Sequence, residues 1–414
     1  VVSAPVPATS AELSESRPWT DKLTLSAFVD GYAGVNFFTP RPQNRNRFRA
    51  FDRANGFSLA WVGINGRYGT DEVYGTVDLR FGPAAATLAK GDVEHDLQNV
   101  KQAYATWRPG GREGRLTLDF GKFDSIYGAE SAESQSNFNY TRGLVFWLTQ
   151  PMFHTGLRAA FDVSPNFWIT GILANGWNNS LDNNWGKTLG LQVSGSVPRG
   201  SDSASLLDVH LGYLTGPEQV DYGTLFYCVE GGNFNPTTNR CDVAYSGSSP
   251  NVLRDAGSAN NFEAFRHLID LVVSLTPNDQ LSFLFHGNLG FEGVRQGSVD
   301  QFGSLDGFQS ESWWAASAAA RYAFSRVWAG AIRGEILGDA DGRTTAGDEL
   351  YVNRVRDLLL YSATLTAEAA PTSNLLLRLD ARLDGANESV YPRRLRGYEA
   401  IQPTLTLGVV VKTD

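Results

Sequence analysis

Arg378, Asp380, Arg382 and Asp384 occupy every second position of one stretch, and Leu377, Leu379, Ala381 and Leu383 fill the positions between and before them. In a strand, successive side chains point to opposite faces, so four charges share one face and four apolar residues the other. Charges at consecutive same-face positions would carry a heavy desolvation cost in a dry core. They suit a wet interior, where facing rows of opposite charge order water and select polar solutes. Arg80, Arg158, Arg266, Arg321 and Arg333 fall on such polar faces elsewhere, as do Asp30, Asp78, Asp119, Asp270 and Glu335. The competing reading is that these groups pair across strands and stiffen the wall.

A second group of charges lies in a polar segment near residues 124–141. Gly128, Ala129, Glu130, Ser131, Ala132 and Glu133 lead into Asn137, Asn139, Tyr140, Thr141, Arg142 and Gly143. Small residues and amides suit a segment folded against a wall. The expectation is that this loop bends into the interior and constricts it, with Glu130 and Glu133 facing wall arginines. Arg142 reads either as a constriction residue or as a loop anchor.

Other chemistry finds little support. The histidines His95, His154, His210, His267 and His286 show no H-x-x-x-H or C-x-x-C-H spacing, so neither a metal site nor another cofactor is expected. A hydrolase needs a nucleophile, a base and an orienting group converging in space. Ser274 and Ser282 lie near His267 and His286 in sequence alone. Cys228 and Cys241 are the two cysteines, in a polar stretch near residues 216–262. In a secreted chain that spacing predicts a disulfide closing a short loop, worth roughly 3 kcal/mol.

The elements that hold these residues must be strands. From Lys22 to Phe37 the odd positions carry Leu23, Leu25, Ala27, Val29, Val35 and Phe37, and the even ones Lys22, Thr24, Ser26, Asp30 and Asn36. No helix gathers those odd positions on one side. The same alternation returns at Val73, Val77, Leu79 and Phe81, at Leu207, Val209 and Leu211, at Leu281, Phe283 and Phe285, and at Leu405, Leu407, Val409 and Val411. Short breaks fall near residues 69–71, 109–114, 164–166, 198–202, 277–279, 325 and 370–373. Long polar segments fall near residues 38–56, 82–99, 124–141, 176–186, 216–262, 294–311, 339–354 and 385–397. Counting between them gives about 16 strands, an even number with short turns at one end and long loops at the other.

The expected fold is therefore all-β: a transmembrane antiparallel up-and-down barrel with short periplasmic turns and long extracellular loops, over residues 21–414 as one domain. Mean hydropathy of −0.24 and 42% hydrophobic residues permit this, because lipid-facing apolar residues interleave with polar ones. A propeller would show a motif recurring near every 40 residues, which is not seen. Residues 1–20 read as a flexible periplasmic leader, and Val1 in place of Met suggests a removed signal peptide. Trp107, Trp168, Phe324 and Trp328 sit beside short turns and are expected to meet lipid headgroups.

The segment near residues 115–195 also resembles a known family. Gly128-Ala129-Glu130, Asn139-Tyr140-Thr141-Arg142-Gly143, Phe146-Trp147, Gln150-Pro151 and His154-Thr155-Gly156 are similar to the OmpL-like β-barrel porins of bacterial outer membranes. Asn175-Gly176-Trp177-Asn178, Asn183-Asn184 and Lys187-Thr188 extend the likeness. The resemblance implies a porin-type barrel. The expected function is passive diffusion of small hydrophilic solutes or ions, with no enzymatic step. The expected partners are outer-membrane lipid or lipopolysaccharide and small polar solutes, with no nucleic acid, given the net charge of −9. A homotrimer is one option for assembly. The alternative is a barrel with an occluded lumen whose surface loops bind a partner.

Overall fold

The computed structural model describes residues 19–40, 45–182, 184, 186–200, 204–219, 234–235, 240–241, 264–295, 308–345, 355–394 and 397–413. Sixteen strands build it: β1 (Leu23–Asn36), β2 (Asn55–Gly69), β3 (Val73–Phe81), β4 (Val100–Trp107), β5 (Leu116–Asp124), β6 (Phe153–Ser164), β7 (Phe167–Ala174) and β8 (Thr188–Pro198) form one half. The other half is β9 (Ser205–Pro217), β10 (Phe265–Leu275), β11 (Leu281–Arg295), β12 (Phe308–Ala323), β13 (Trp328–Asp339), β14 (Leu358–Thr372), β15 (Leu375–Ala386) and β16 (Ile401–Lys412). Each pairs antiparallel with its neighbour in sequence, and β16 pairs with β1, so the sheet closes into a barrel with no free edge. Closure satisfies the backbone N–H and C=O groups that hydrocarbon could not.

The alternation read from the sequence separates the two faces of the wall. On β15, Arg378, Asp380, Arg382 and Asp384 are buried while Leu379, Ala381 and Leu383 are exposed. Elsewhere the exposed side chains include Phe120, Leu189, Ile332, Leu365 and Leu407. The polar face thus points to the barrel interior and the apolar face outward, the arrangement a barrel in lipid requires.

Seven connections are short: residues 70–72, 108–115, 165–166, 199–204, 276–280, 324–327 and 373–374. Eight are long: residues 37–54, 82–99, 125–152, 175–187, 218–264, 296–307, 340–357 and 387–400. The expected leader lies, up to residue 18, outside the described residues. So does Cys228, and with it the expected disulfide to Cys241. Cys241 is in a small hairpin, Phe234–Asn235 against Arg240–Cys241, with Phe234 opposite it.

Two expectations need correction. Trp107, Phe324 and Trp328 are exposed beside short turns, but Trp168 faces the lumen. It pairs with Asp162 and Ser194, whereas its outward neighbour Ile169 pairs with Phe161 and Val193. Its place beside a turn drew the expectation; its parity decides the face. The constricting segment was bounded too early, at residue 141. The connection runs from residue 125 to residue 152 and carries a short helix, α2 (Leu144–Thr149), the second after α1 (Pro83–Leu88) in the connection of residues 82–99.

The lumen is not simply wet. Leu144 and Val145 pack with Phe48, Ala315, Leu337, Leu358, Leu360 and Tyr391. Tyr140 and Phe146 join Phe28, Tyr32, Phe51 and Trp61. Apolar side chains of two long connections, residues 37–54 and 125–152, thereby find an interior to fill, and their burial holds both connections against the wall.

Candidate functional site

The site is the set of contacts between the inner loop, residues 125–152, and the wall around it. Tyr140 Oη donates to Asp30 of β1 at 2.7 Å, and Tyr127 Oη donates to the Tyr213 carbonyl of β9 at 3.0 Å. Glu133 meets Arg80 of β3 at 2.7 Å, and Thr149 Oγ1 accepts from Asn288 of β11 at 2.6 Å. In a closed barrel of sixteen, β1 and β9 stand opposite each other, as do β3 and β11. The loop therefore spans the lumen along two diameters.

Its acidic half is fixed by arginines and a lysine. Glu133 accepts from Arg80 Nε at 3.0 Å and lies 2.9 Å from Lys101 Nζ. Burial alone would raise the Glu133 pKa, but Lys101 and Arg80 outweigh it and bring it from 4.5 down to about 2. Glu130 pairs with Arg333 and accepts from the Gly143 amide at 2.6 Å, which closes the loop on itself. Arg333 also donates to the Thr141 carbonyl at 2.8 Å and stands 3.1 Å from Glu335.

The second half is held mainly by Asp380. Its carboxylate accepts from the Thr141 amide at 2.8 Å, Thr141 Oγ1 at 2.9 Å, the Tyr140 amide at 3.3 Å and Thr366 Oγ1 at 2.7 Å. Arg378 donates to the Ser134 carbonyl and pairs with Glu368 at 2.8 Å. Arg382 pairs with Asp384 at 2.7 Å and donates to the Arg142 carbonyl at 2.5 Å. Arg142 itself donates to the Ala132 carbonyl at 2.9 Å and lies over the Phe51 ring at 4.4 Å.

The structure thus gathers eleven residues named from the sequence: Glu130, Glu133, Arg142, Arg80, Arg333, Arg378, Arg382 and Asp380, with Asp30, Glu335 and Asp270, the last accepting from the Gly128 amide at 3.0 Å. The others stand apart in pairs. Arg158 binds Asp119 at 2.8 Å, Asp78 accepts from Gln102 at 2.6 Å, Arg321 pairs with Glu368, and Arg266 binds Glu292 at 2.8 Å. Opposite charges expected to face each other across open water are mostly in direct contact: Arg158 with Asp119, Arg266 with Glu292 and Arg378 with Glu368 pair across adjacent strands, the competing reading, while the loop supplies Glu133 to Arg80 and Glu130 to Arg333. Asn178 anchors the loop end, accepting from the Met152 amide at 2.6 Å.

Sequence reasoning missed the first long connection. Arg49 is fully buried, with Asp52 and Asp384 each at 2.8 Å and Thr404 at 2.8 Å. Those two carboxylates raise its pKa against the effect of burial. The run Arg45-Asn46-Arg47-Phe48-Arg49 was a signal, since charge alternating with amide and ring is unusual in a solvated loop. Glu218 was missed as well. It is half-buried at the long-loop end, accepting from the Trp177 amide and Thr188 Oγ1, both at 2.6 Å. Among the described residues, no group of three or more His, Cys, Asp or Glu could hold a metal ion.

Comparison with known proteins agrees with this architecture. A family profile described as "Putative beta-barrel porin-2, OmpL-like" matches residues 22–412. Solved structures share the fold at low identity. OmpF of Salmonella typhi, in complex with daunomycin, has a TM-score of 0.55 at 12% identity, covering 96% of this chain and 99% of that one. An anion-selective porin from Comamonas acidovorans has a TM-score of 0.54 at 10% identity, covering 94% and 99%. OmpT of Vibrio cholerae, in a trimer form, has a TM-score of 0.52 at 10% identity, covering 94% and 99%. No curated protein sequence matches.

Proposed function

Because this chain belongs to the OmpL-like family of β-barrel porins, we propose that it is a diffusion porin of the bacterial outer membrane whose passage is set by the inner loop. Short turns face the periplasm and long connections the exterior, as in bacterial outer-membrane barrels generally. Small hydrophilic solutes or ions pass without energy coupling, sorted by the width and field that the loop leaves. The observation that carries this reading is the loop's attachment to opposite walls, β1 with β9 and β3 with β11. A loop fixed at both ends of a diameter narrows a path through the lumen at that level.

The protein in a planar bilayer should give small stepwise currents, and a variant lacking residues 128–137 should give larger ones. Equal conductance would remove the loop from control of passage. A bilayer that stays tight for both proteins would refute the channel and favour a scaffold barrel. That second reading draws on the same packing, since apolar clusters fill much of the long-loop half. Homotrimeric assembly is part of the proposal, and the trimer form of the Vibrio cholerae relative supports it.

A further inference from the structure

Unlike the wall arginines Arg80, Arg158, Arg321, Arg333, Arg378 and Arg382, Arg67 has no carboxylate within ion-pair distance among the described residues. It lies on the inward row of β2, paired with Thr24 and Thr76, while Tyr68 next to it is half exposed on the outer face. Its guanidinium carbon sits 3.6 Å above the centre of the Tyr74 ring. A guanidinium flat on a ring is held by the ring's π face and keeps its edge N–H donors free. The side chain is exposed into the lumen, near the short-turn end.

Two further features flank it. Thr76 pairs with Tyr104, so Arg67, Thr76 and Tyr104 form one inward row across three adjacent strands. The Tyr104 ring is half-buried, with Arg158 at 5.5 Å from its centre, and that arginine is already neutralised by Asp119. Both rings stand opposite glycines in the register, Tyr74 across from Gly69 and Tyr104 across from Gly121. The nearest lumen acid on the next row, Asp78, accepts from Gln102 at 2.6 Å. The patch therefore offers one planar cation without an ion pair and one half-buried ring, which packs on one side against the cluster of Phe123 and Tyr127, within three adjacent strands of the same wall.

We propose that Arg67, Tyr74 and Tyr104 form a docking site for planar aromatic carboxylates at the periplasmic mouth of the lumen. The carboxylate would take two parallel N–H donors from Arg67, the geometry that suits a guanidinium fork. The ligand ring would stack on Tyr104, with Thr76 between them as a hydroxyl partner. This assignment of a solute class rests on the porin reading for its purpose, but binding itself does not depend on conduction.

The test uses the full chain with benzoate, and with benzyl alcohol and acetate as probes lacking the charge or the ring. Saturation-transfer NMR on the detergent-solubilised protein should show contact to the benzoate ring. Affinity should fall about tenfold or more in Arg67→Gln, the share expected of a charge-assisted pair. Arg67→Lys should recover only part, since it restores charge without the fork, and Tyr104→Ala should weaken benzoate while leaving acetate unchanged. In a bilayer, benzoate added on the short-turn side should interrupt the current of the wild type more than that of Arg67→Gln. Binding without any conductance would sustain the site and refute the porin reading. Equal benzoate contact in wild type and Arg67→Gln would overturn the site, provided both variants show the folded barrel's gel mobility. Acetate or benzyl alcohol binding as tightly as benzoate would overturn the assigned class.

Discussion

Glu133 of the inner loop and Arg80 of β3 meet at 2.7 Å with neither side chain more than 7% exposed. Replacing Glu133 by Gln leaves Arg80 buried without its counter-charge, which costs about 3–5 kcal/mol for a buried pair. The pH dependence follows from the lowered pKa. A group depressed from 4.5 to about 2 contributes stability that is present above 4.5 and lost as pH falls through 2. That contribution is on the order of 3 kcal/mol. Protection from hydrogen exchange over residues 131–137, relative to the intrinsic rate at each pH, should therefore hold from pH 7 to about 4.5 and fall below it. Glu133→Gln should exchange faster and lose this acid step. A wild-type profile flat down to pH 2 would contradict the pairing.

Asp380 of β15, a quarter-turn round the barrel from β3, holds the loop through three donors of Tyr140 and Thr141. Bonds to a carboxylate contribute about 1.5–3 kcal/mol each. Asp380→Ala should release this half of the loop and increase both mean conductance and current noise. Conductance traces indistinguishable from wild type would show that the loop's other attachments suffice.

Glu218 behaves in the opposite sense to Glu133. Burial raises its pKa from 4.5 to about 7, against the lowering effects of Arg266, Thr188 and the Trp177 amide. A raised carboxyl contributes stability in full below 4.5, and that contribution is lost as pH rises through 7. The contacts joining residues 175–187 to 218–219 should therefore loosen between about pH 5 and pH 8. Glu218→Gln keeps the acceptor oxygen and should remove the step. Exchange of the Trp177 amide reads both outcomes, and a pH-independent wild type would reject them.

The corrected face of Trp168 can be checked with lipids. Brominated acyl chains should quench part of the tryptophan fluorescence of the reconstituted protein. Trp107→Phe and Trp328→Phe should each lower the quenched fraction, whereas Trp168→Phe should not. A lower quenched fraction in Trp168→Phe would return that ring to the lipid face.

The wall was legible in the sequence because its physics is periodic. Apolar Leu379, Ala381 and Leu383 between Arg378, Asp380, Arg382 and Asp384 define two faces without knowledge of any partner strand. The breaks between strands were legible for the same reason. The interior was only half legible. Glu130 and Glu133 could be assigned to wall arginines by charge, but the choice of Arg333 for one and Arg80 for the other depends on the loop's path. The apolar run of α2 gave no sign of direction, because Leu144, Val145 and Phe146 are equally suited to a membrane face or a buried one. Arg49 lay in a run that hinted at burial, but its partner was not legible, because Asp384 is 335 residues away.

Tyr140 also touches the place where the two ends of the sheet meet. A Cβ on Gly408 of β16 would fall 2.0 Å from the Tyr140 ring, and the Tyr140 hydroxyl reaches Asp30 of β1. Tyr32, paired with Gly408 across the seam, stands 6.0 Å from the same ring. One side chain from the middle of the chain thus lies across the joint between its first and last strands. Sheet closure and loop seating thus share one side chain, and without the loop the space beside Gly408 at the seam would stand unfilled.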